Sequence, residues 1–384
     1  MVLKAAKRGA IQPFIVMDVM RAANERQAAG QDVVHLEVGQ PSTPAPRKVL
    51  EAARGALDRE LLGYTDAFGV SGLKAAIHRH YADAYGVAVD PARIAVTTGS
   101  SGGFVLAFLS AFDAGDRVAL VSPGYPAYRN ILTALDIEVV NLEAGPETDF
   151  QPTPELLDAV DGRLDGLIIA SPSNPTGTMI GVDGLKALAE YCRARGVRLV
   201  SDEIYHGITY EEAAHSMAEF DDEAFVVNSF SKYYSMTGWR LGWLVFPRSL
   251  ARPIECLAQN LFISPPTLSQ FAAVAAFDSR AELDANVARY KVNRDLLLDG
   301  LPRAGFDRLS HAQGAFYIYA DVSHLTGDSN AFCRRILSET GVALTPGVDF
   351  DPGRGHRSVR FSFAGSTEDM VRAIDRLKAF HNSL

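Results

Sequence analysis

Short apolar segments alternate with longer amphipathic ones along most of the chain. The apolar segments predict seven strands, at residues 94–98, 117–121, 137–141, 166–170, 197–200, 224–228 and 241–246. The amphipathic segments predict helices at 13–29, 48–57, 71–85, 104–112, 154–160 and 181–195. Alternation of this kind from residue 48 to about 276 predicts an α/β fold with a doubly wound, mainly parallel sheet, whose ligand sites lie at the carboxyl ends of the strands.

The C-terminal third has a different pattern. It predicts strands at 315–320 and 358–363, an extended stretch at 343–346, and helices at 330–340 and 367–381, the last with a capping pattern of Ser366 and Asp369. We therefore expect a large domain at 46–280 and a smaller α+β domain made of the N-terminal and C-terminal segments, 1–45 and 281–384. The small domain is expected to close over a substrate.

Composition excludes several classes of protein. The chain has 384 residues, 47% hydrophobic and 22% charged, with a formal net charge of -9. It has no basic footprint for nucleic acid or an anionic membrane, and no apolar run of about 18 residues that could span a bilayer. Its three cysteines are far apart and lack metal-ligand spacing, so we expect no metal site, no disulfide framework and a cytoplasmic location.

The most informative stretch is Ser229 to Gly242, which reads S-F-S-K-Y-Y-S-M-T-G-W-R-L-G. It combines a single lysine, Lys232, with three serine hydroxyls and Arg240. A lysine condenses with aldehydes, and hydroxyls beside an arginine suit a dianionic phosphate. The stretch therefore predicts a site for a phosphorylated aldehyde, with a solvent lysine in a serine-rich loop as the alternative.

Other candidate residues follow the predicted strands. Small residues after strand 94–98 are typical of an anion cradle at a helix N-terminus, or of a plain turn. An Asn-Pro-Thr-Gly turn starting at Asn174 follows strand 166–170. Asp202 follows strand 197–200, where a buried carboxylate is costly unless it is paired. A helix N-cap is the alternative for Asp202, and a structural turn is the alternative for Asn174.

The pattern S-x-S-K-x-x-x-x-x-G-x-R-x-G resembles the cofactor-lysine segment of pyridoxal-phosphate enzymes of the class I/II aminotransferase family, of the aspartate-aminotransferase-like fold type I. Six motifs of that family occur here in the expected order. The resemblance implies that Lys232 holds pyridoxal 5'-phosphate as a Schiff base. The other cofactor-binding residues that it implies are Ser100, Ser101, Gly102, Ser229 and Arg240 at the phosphate, Tyr125 against the ring with Tyr128 as the second choice, Asp202 at the ring nitrogen, and Asn174 and Tyr205 at the phenolic oxygen.

The resemblance also implies substrate and partner contacts. Gly39, Asn174 and Arg360 would bind the substrate carboxylate. Tyr64 would reach the cofactor phosphate of a second copy, so that the unit is a homodimer with shared active sites. Lys232, Asp202 and Tyr205 would be the catalytic residues.

The implied activity is transfer of an amino group from an L-amino acid to a 2-oxo acid, with ping-pong kinetics. A carbon-sulfur β-lyase of the same fold and a non-catalytic regulator are the alternatives. Two departures concern the donor, because Ser101 and the uncharged run 259–263 stand where family branches carry a cation for a second carboxylate. Neutral donors such as alanine, aromatic or branched amino acids are therefore as well supported as dicarboxylic ones.

Overall fold

The computed structural model describes residues 3–383. Its α-helices are α1 (Ile15–Ala28), α2 (Arg47–Arg59), α3 (Ser71–Tyr85), α4 (Gly99–Ala111), α5 (Pro126–Ala134), α6 (Pro154–Asp158), α7 (Val182–Arg195), α8 (Ala251–Leu261), α9 (Thr267–Ala273), α10 (Arg280–Arg303), α11 (Ser329–Thr340) and α12 (Thr367–His381). Its strands are β1 (Val34–His35), β2 (Ile94–Thr97), β3 (Arg117–Ser122), β4 (Glu138–Glu143), β5 (Gly166–Ala170), β6 (Arg198–Asp202), β7 (Phe225–Ser229), β8 (Gly242–Val245), β9 (Arg308–Leu309), β10 (Tyr317–Asp321), β11 (Val342–Ala343), β12 (Thr345–Pro346) and β13 (Ser358–Ser362).

The seven predicted strands form one sheet in the order β2-β8-β7-β6-β5-β3-β4. Only β8 runs antiparallel to its neighbours, so the carboxyl ends of the other six strands lie at one edge. Central strands are apolar throughout because both faces are covered: Leu167 packs in the core on one face and Ile168 in the core on the other. The predicted doubly wound, mainly parallel sheet is confirmed.

Two helix starts differ from the prediction. Residues 99–103 were expected to form a loop before a helix at 104, but α4 begins at Gly99. No helix was predicted after Pro126, but α5 begins at that proline, which suits the first position of a helix. The glycine and serine run was mistaken for a turn because low helix propensity is a weak guide where the helix packs against a sheet.

A second core lies among the C-terminal elements. A four-stranded antiparallel sheet has the order β12-β13-β10-β9, and β1 pairs in parallel with β11. Helices α10, α11 and α12 pack against this unit. The N-terminal strand β1 thus joins elements more than 300 residues later. The domain boundaries near residues 46 and 281 stay a prediction.

The predicted cap of the last helix is present, since Ser366 Oγ accepts a hydrogen bond from the amide of Asp369 at 3.1 Å. Across residues 3–383, no helix combines the length and the apolar composition needed to cross a membrane.

Candidate active site

Four predicted site residues follow four strands that end at the same edge of the sheet. Tyr125 follows β3, Asn174 follows β5, Asp202 is the last residue of β6, and Lys232 follows β7. Because these strands are parallel neighbours, their ends bring together residues that are far apart in sequence.

Lys232 lies at the centre of the group. Its Nζ atom donates a hydrogen bond of 2.6 Å to the carbonyl oxygen of Gly39 and lies 5.6 Å from the centroid of the Tyr205 ring. Burial and the positive charge of Arg360 lower the pKa of Lys232 to about 8, while the negative charge of Asp202 opposes the shift. The neutral fraction of this amine near physiological pH is therefore a minority, but it is far larger than that of an exposed lysine.

Asp202 is 3% exposed, and burial raises its pKa to about 6. The Tyr128 hydroxyl donates to one carboxylate oxygen, and the amide of Ile204 donates to the other at 3.1 Å. These bonds and the charge of Lys232 favour the ionised form and limit the shift. A cationic donor facing this carboxylate would stabilise its negative charge.

Arg360 lies on β13 and is 3% exposed. Its Nη1 atom donates to Asn174 Oδ1 at 2.8 Å. Its Nη2 atom donates to Thr345 Oγ1 at 3.2 Å and to the carbonyl oxygen of Glu37. The guanidinium group therefore joins the second core to the asparagine that follows β5.

Two aromatic rings hold the plane of this guanidinium group. The Cζ atom of Arg360 lies 4.3 Å from the ring centroid of Tyr317 and 4.7 Å from that of Phe350. Such stacking orients a planar cation, which a lysine ammonium cannot reproduce. Arg360 is therefore preorganised for a planar, bidentate anion such as a carboxylate.

Arg240 lies at the other end of the site, beside the N-terminus of α4. A Cβ atom at Gly99 would lie only 2.6 Å from Arg240 Nη2, and Gly99 has a φ of +73°. Ser229, which is buried, donates to the carbonyl oxygen of Leu241 at 3.2 Å. A guanidinium group next to free amides at the start of a 13-residue helix is suited to a phosphate.

The three cations have one property in common. Within residues 3–383, every hydrogen bond made by Lys232, Arg240 and Arg360 goes to a neutral oxygen. Of the three, Arg360 is buried, where a charge without a counter-charge is costly, while Lys232 is half-buried and Arg240 is exposed. The site is thus built to receive anions, and its two arginines lie at its two ends.

Tyr205 and Gly39 both contact Tyr317, a residue that was not predicted to belong to the site. The hydroxyls of Tyr205 and Tyr317 lie 2.7 Å apart. The Tyr317 hydroxyl is packed so closely on Gly39 that a Cβ atom there would lie 1.7 Å from it. Only glycine fits at this position, because its backbone lies against the tyrosine ring.

Tyr125 packs edge-on against Tyr128, with centroids 5.3 Å apart, and against Phe14 at 5.6 Å. Burial raises the pKa of Tyr125 to about 12. Its ring is therefore neutral and held from two sides. Tyr128, which was the second choice for a ring contact, instead directs its hydroxyl to Asp202.

Three predicted residues, Tyr64, Ser101 and Arg240, are exposed. Tyr64 is 84% exposed, and Ser101 is exposed on the first turn of α4, next to half-buried Ser100. Gly102 is buried against Thr98, whose Oγ1 would lie 2.5 Å from a Cβ atom there. The role of Tyr64 across an interface stays a prediction.

Sequence reasoning missed Tyr317, Phe350 and the carbonyl oxygen of Glu37. Tyr317 belongs to the apolar run of β10 and carries no local motif. A backbone carbonyl leaves no sequence signal at all. The only available clue was Glu37 itself, an acidic residue that, together with His35, interrupts an apolar extended run.

The chain is similar to known proteins over nearly its whole length. The family model described as aminotransferase class I and II matches residues 31–377. A valine–pyruvate aminotransferase of Mycobacterium tuberculosis is 53% identical over 97% of both chains, and an aspartate aminotransferase of Geobacillus stearothermophilus is 32% identical over 98% of this chain and 99% of the other.

Solved structures give the same result. A crystal structure of an aminotransferase from Mycobacterium tuberculosis superposes with a TM-score of 0.98 at 52% identity over the whole of both chains. Aspartate aminotransferase of Thermus thermophilus with maleate has a TM-score of 0.93 at 32% identity, covering 98% of this chain and 100% of the other.

Proposed function

This chain belongs to the class I and II aminotransferase family and is a transaminase, and on that premise we propose that it transfers the amino group of a neutral L-amino acid, valine in the first instance, to a 2-oxo acid such as pyruvate. The observation that carries the proposal is the meeting of Lys232, Asp202 and Arg360 in one site, where the described residues offer the two cations only neutral hydrogen-bond partners.

Members of this family are generally dependent on pyridoxal 5'-phosphate, and the site fits that molecule. Its aldehyde would be held covalently by Lys232, and its phosphate by Arg240, Ser229 and the start of α4 with Ser100, Ser101 and Gly102. Asp202 would accept from its ring nitrogen, Asn174 and Tyr205 would donate to its phenolic oxygen, and Tyr125 would lie against its ring. When bound, the cofactor supplies an electron-withdrawing ring that acidifies the substrate Cα–H bond.

Arg360 would bind the α-carboxylate of the substrate. Its stacked, planar donors form a bidentate pair with a carboxylate, and Asn174, already bonded to Nη1 at 2.8 Å, lies beside it. Gly39 would line this end of the substrate site, where its backbone lies against the Tyr317 hydroxyl. Binding at Arg360 orients the Cα–H bond, which is a contribution of position rather than of charge.

Lys232 would move the proton. Its pKa of about 8 makes the free amine available as a base that removes the proton from the substrate Cα atom, and the resulting ammonium can return that proton. Because donor and acceptor use the same residues in turn, the kinetics are expected to be ping-pong.

The neutral donor is supported by the two positions at which branches of the family carry a cation for a second carboxylate. Ser101 and the run 259–263 offer no positive side chain, so a second carboxylate would lack a counter-charge there. The relative that is 53% identical is named for valine and pyruvate, which are both substrates without a second carboxylate.

A homodimer is part of the proposal. Exposed Tyr64 lies in a loop with exposed Leu61, and Ile263 is exposed in the loop that leads to α9. The hydroxyl of Thr267 binds the carbonyl oxygen of Gly63 at 2.7 Å, so these loops are neighbours. Exposed apolar side chains on neighbouring loops suit contact with a second copy.

The cytoplasmic location stays a prediction.

The test is to add amino acids one at a time to the purified protein with pyridoxal phosphate and no acceptor, and to follow the visible spectrum. Loss of the aldehyde-form absorbance with valine, with production of the 2-oxo acid, would support the proposal. Conversion by aspartate but not by neutral donors would refute the donor assignment. A persistent spectrum with accumulation of pyruvate and thiol from a sulfur-containing amino acid would indicate a β-lyase.

A further inference from the structure

A short extended segment, residues 35–39, contacts both central cations through its backbone. The carbonyl oxygen of Glu37 accepts from Arg360 Nη2 and, at 3.0 Å, from Thr345 Oγ1. The carbonyl oxygen of Gly39 accepts from Lys232 Nζ at 2.6 Å. The position of this segment therefore helps to set the orientation of Arg360 and Lys232.

The segment is held by a side-chain pair outside the site. His35 Nδ1 lies 2.8 Å from Glu37 Oε1, and the Glu37 side chain is fully buried while that of His35 is about one-third exposed. The second carboxylate oxygen of Glu37 has no hydrogen-bond partner among the described residues. Among the described residues His35 is the only ion-pair partner of Glu37, and a buried charge depends on such a partner.

The surroundings of His35 favour its charged form. Nδ1 faces Glu37 Oε1, and Nε2 lies 3.4 Å from Gln27 Oε1, so both ring nitrogens face oxygen atoms and only the imidazolium can donate to both. Since the ring is partly exposed, it can exchange protons with solvent.

We propose that His35 and Glu37 are positioning residues that hold segment 35–39 in contact with Arg360, and that they do so most firmly when His35 is protonated. The inference rests on the proposed role of Arg360 in binding the substrate carboxylate. Neutral His35 leaves the buried Glu37 without a counter-charge, the segment loosens, and the carbonyl oxygen that orients the guanidinium group is displaced.

The charged groups around His35 set the direction of the pH effect. Glu37 raises the pKa of His35 above its usual value, Asp369 on α12 adds to this, and burial opposes it. Asp369 is itself paired with Arg372, and α1 contributes the neutral Gln27. Because the pKa is raised, the support is fully present below the ordinary histidine pKa and is lost as the pH rises through the raised value.

The experiment measures binding of 3-methylbutanoate, a carboxylate with the carbon skeleton of valine but no amino group, to the holoenzyme between pH 6 and 9 by calorimetry. His35→Asn keeps a hydrogen-bond donor but removes the charge. The ratio of its Kd to that of the unsubstituted protein is expected to be about three to ten at pH 6 and to approach one as the pH rises above the raised pKa of His35. Other titrating groups cancel in this ratio.

A matched control is His215→Asn, because His215 forms a similar pair with Glu219 at 3.0 Å that serves a surface turn. It is expected to bind like the unsubstituted protein at every pH, and the cofactor spectrum checks that each variant is folded and loaded. A ratio of one at all pH values for His35→Asn overturns the inference, and so does a constant ratio above one, which would mean a structural role without proton linkage.

Arg360→Lys separates this inference from the proposed function. If that variant binds 3-methylbutanoate as tightly as the unsubstituted protein, the carboxylate site is assigned wrongly. If it loses binding while His35→Asn does not differ, only the role of His35 and Glu37 fails.

Discussion

Arg360→Lys is the substitution that tests the site most directly. It keeps the positive charge but removes the planar, forked donor that lies between the rings of Tyr317 and Phe350. A hydrogen bond to a charged group contributes about 1.5–3 kcal/mol, and a lysine can keep only one of the two bonds to a carboxylate. Losing one corresponds to a decrease of about 10- to 150-fold in kcat/KM for the amino donor.

The assay is steady-state transamination of valine with pyruvate, with the visible spectrum as a measure of bound cofactor. Because Arg360 is assigned to the substrate and not to the cofactor, the spectrum should be unchanged. Arg294→Lys is a matched control: Arg294 is also buried and lies 5.2 Å from the Tyr210 ring centroid, but it is paired with Glu211. A kcat/KM for Arg360→Lys within twofold of the unsubstituted protein would refute the assignment, as would an equal loss in Arg294→Lys.

Three further predictions concern the surroundings of the site. In cofactor-free protein, an amine-acylating reagent should label Lys232 with a midpoint near pH 8 rather than near the ordinary lysine pKa of 10.5, because burial lowers its pKa. Peptide mapping across a pH series measures this midpoint, and a value above pH 10 contradicts the prediction. Gly39→Ala places a Cβ atom 1.7 Å from the Tyr317 hydroxyl, so the backbone must move and kcat/KM should fall by about 100-fold. Adding Tyr317→Phe should restore part of the lost kcat/KM. If it restores none, the clash with Tyr317 is not the cause of the loss. Burial raises the pKa of Glu203 to about 8, so its neutral form favours folding at low pH, and that contribution is lost as the pH rises from the ordinary glutamate pKa to about 8. The free energy of unfolding in urea should therefore decrease over this range in the unsubstituted protein but not in Glu203→Gln. Parallel pH profiles for the two proteins would count against this prediction.

Much of the candidate site could be predicted from the sequence because its residues lie directly at the ends of apolar strands. Asn174, Asp202 and Lys232 each follow an apolar run, and parallel strands place such residues at one edge of a sheet. Arg360 could be named only through the resemblance to a family, since an arginine in an alternating strand is equally typical of an exposed edge. The structure instead places it 3% exposed between two aromatic rings.

The errors have a local origin. The run 99–103 looks like a turn because glycine and serine have low helix propensity, yet α4 begins there. Its close packing supplies what propensity lacks: a Cβ atom at Gly103 would lie 3.2 Å from Val227 on β7. Tertiary packing commonly overrides propensity in this way.

The sequence by itself determined the alternation of strands and helices, and therefore the sheet and the edge at which the chemistry is placed, because periodicity and strand ends are local properties. Only the tertiary structure decided which distant groups touch. Gly39 and Lys232 are 193 residues apart, and Glu37 and Arg360 are 323 residues apart. Both contacts use backbone carbonyl oxygens, which every residue possesses, so no pattern of side chains in the sequence predicts them. The orientation of the two cations is thus a consequence of how the N-terminal segment packs against the C-terminal sheet.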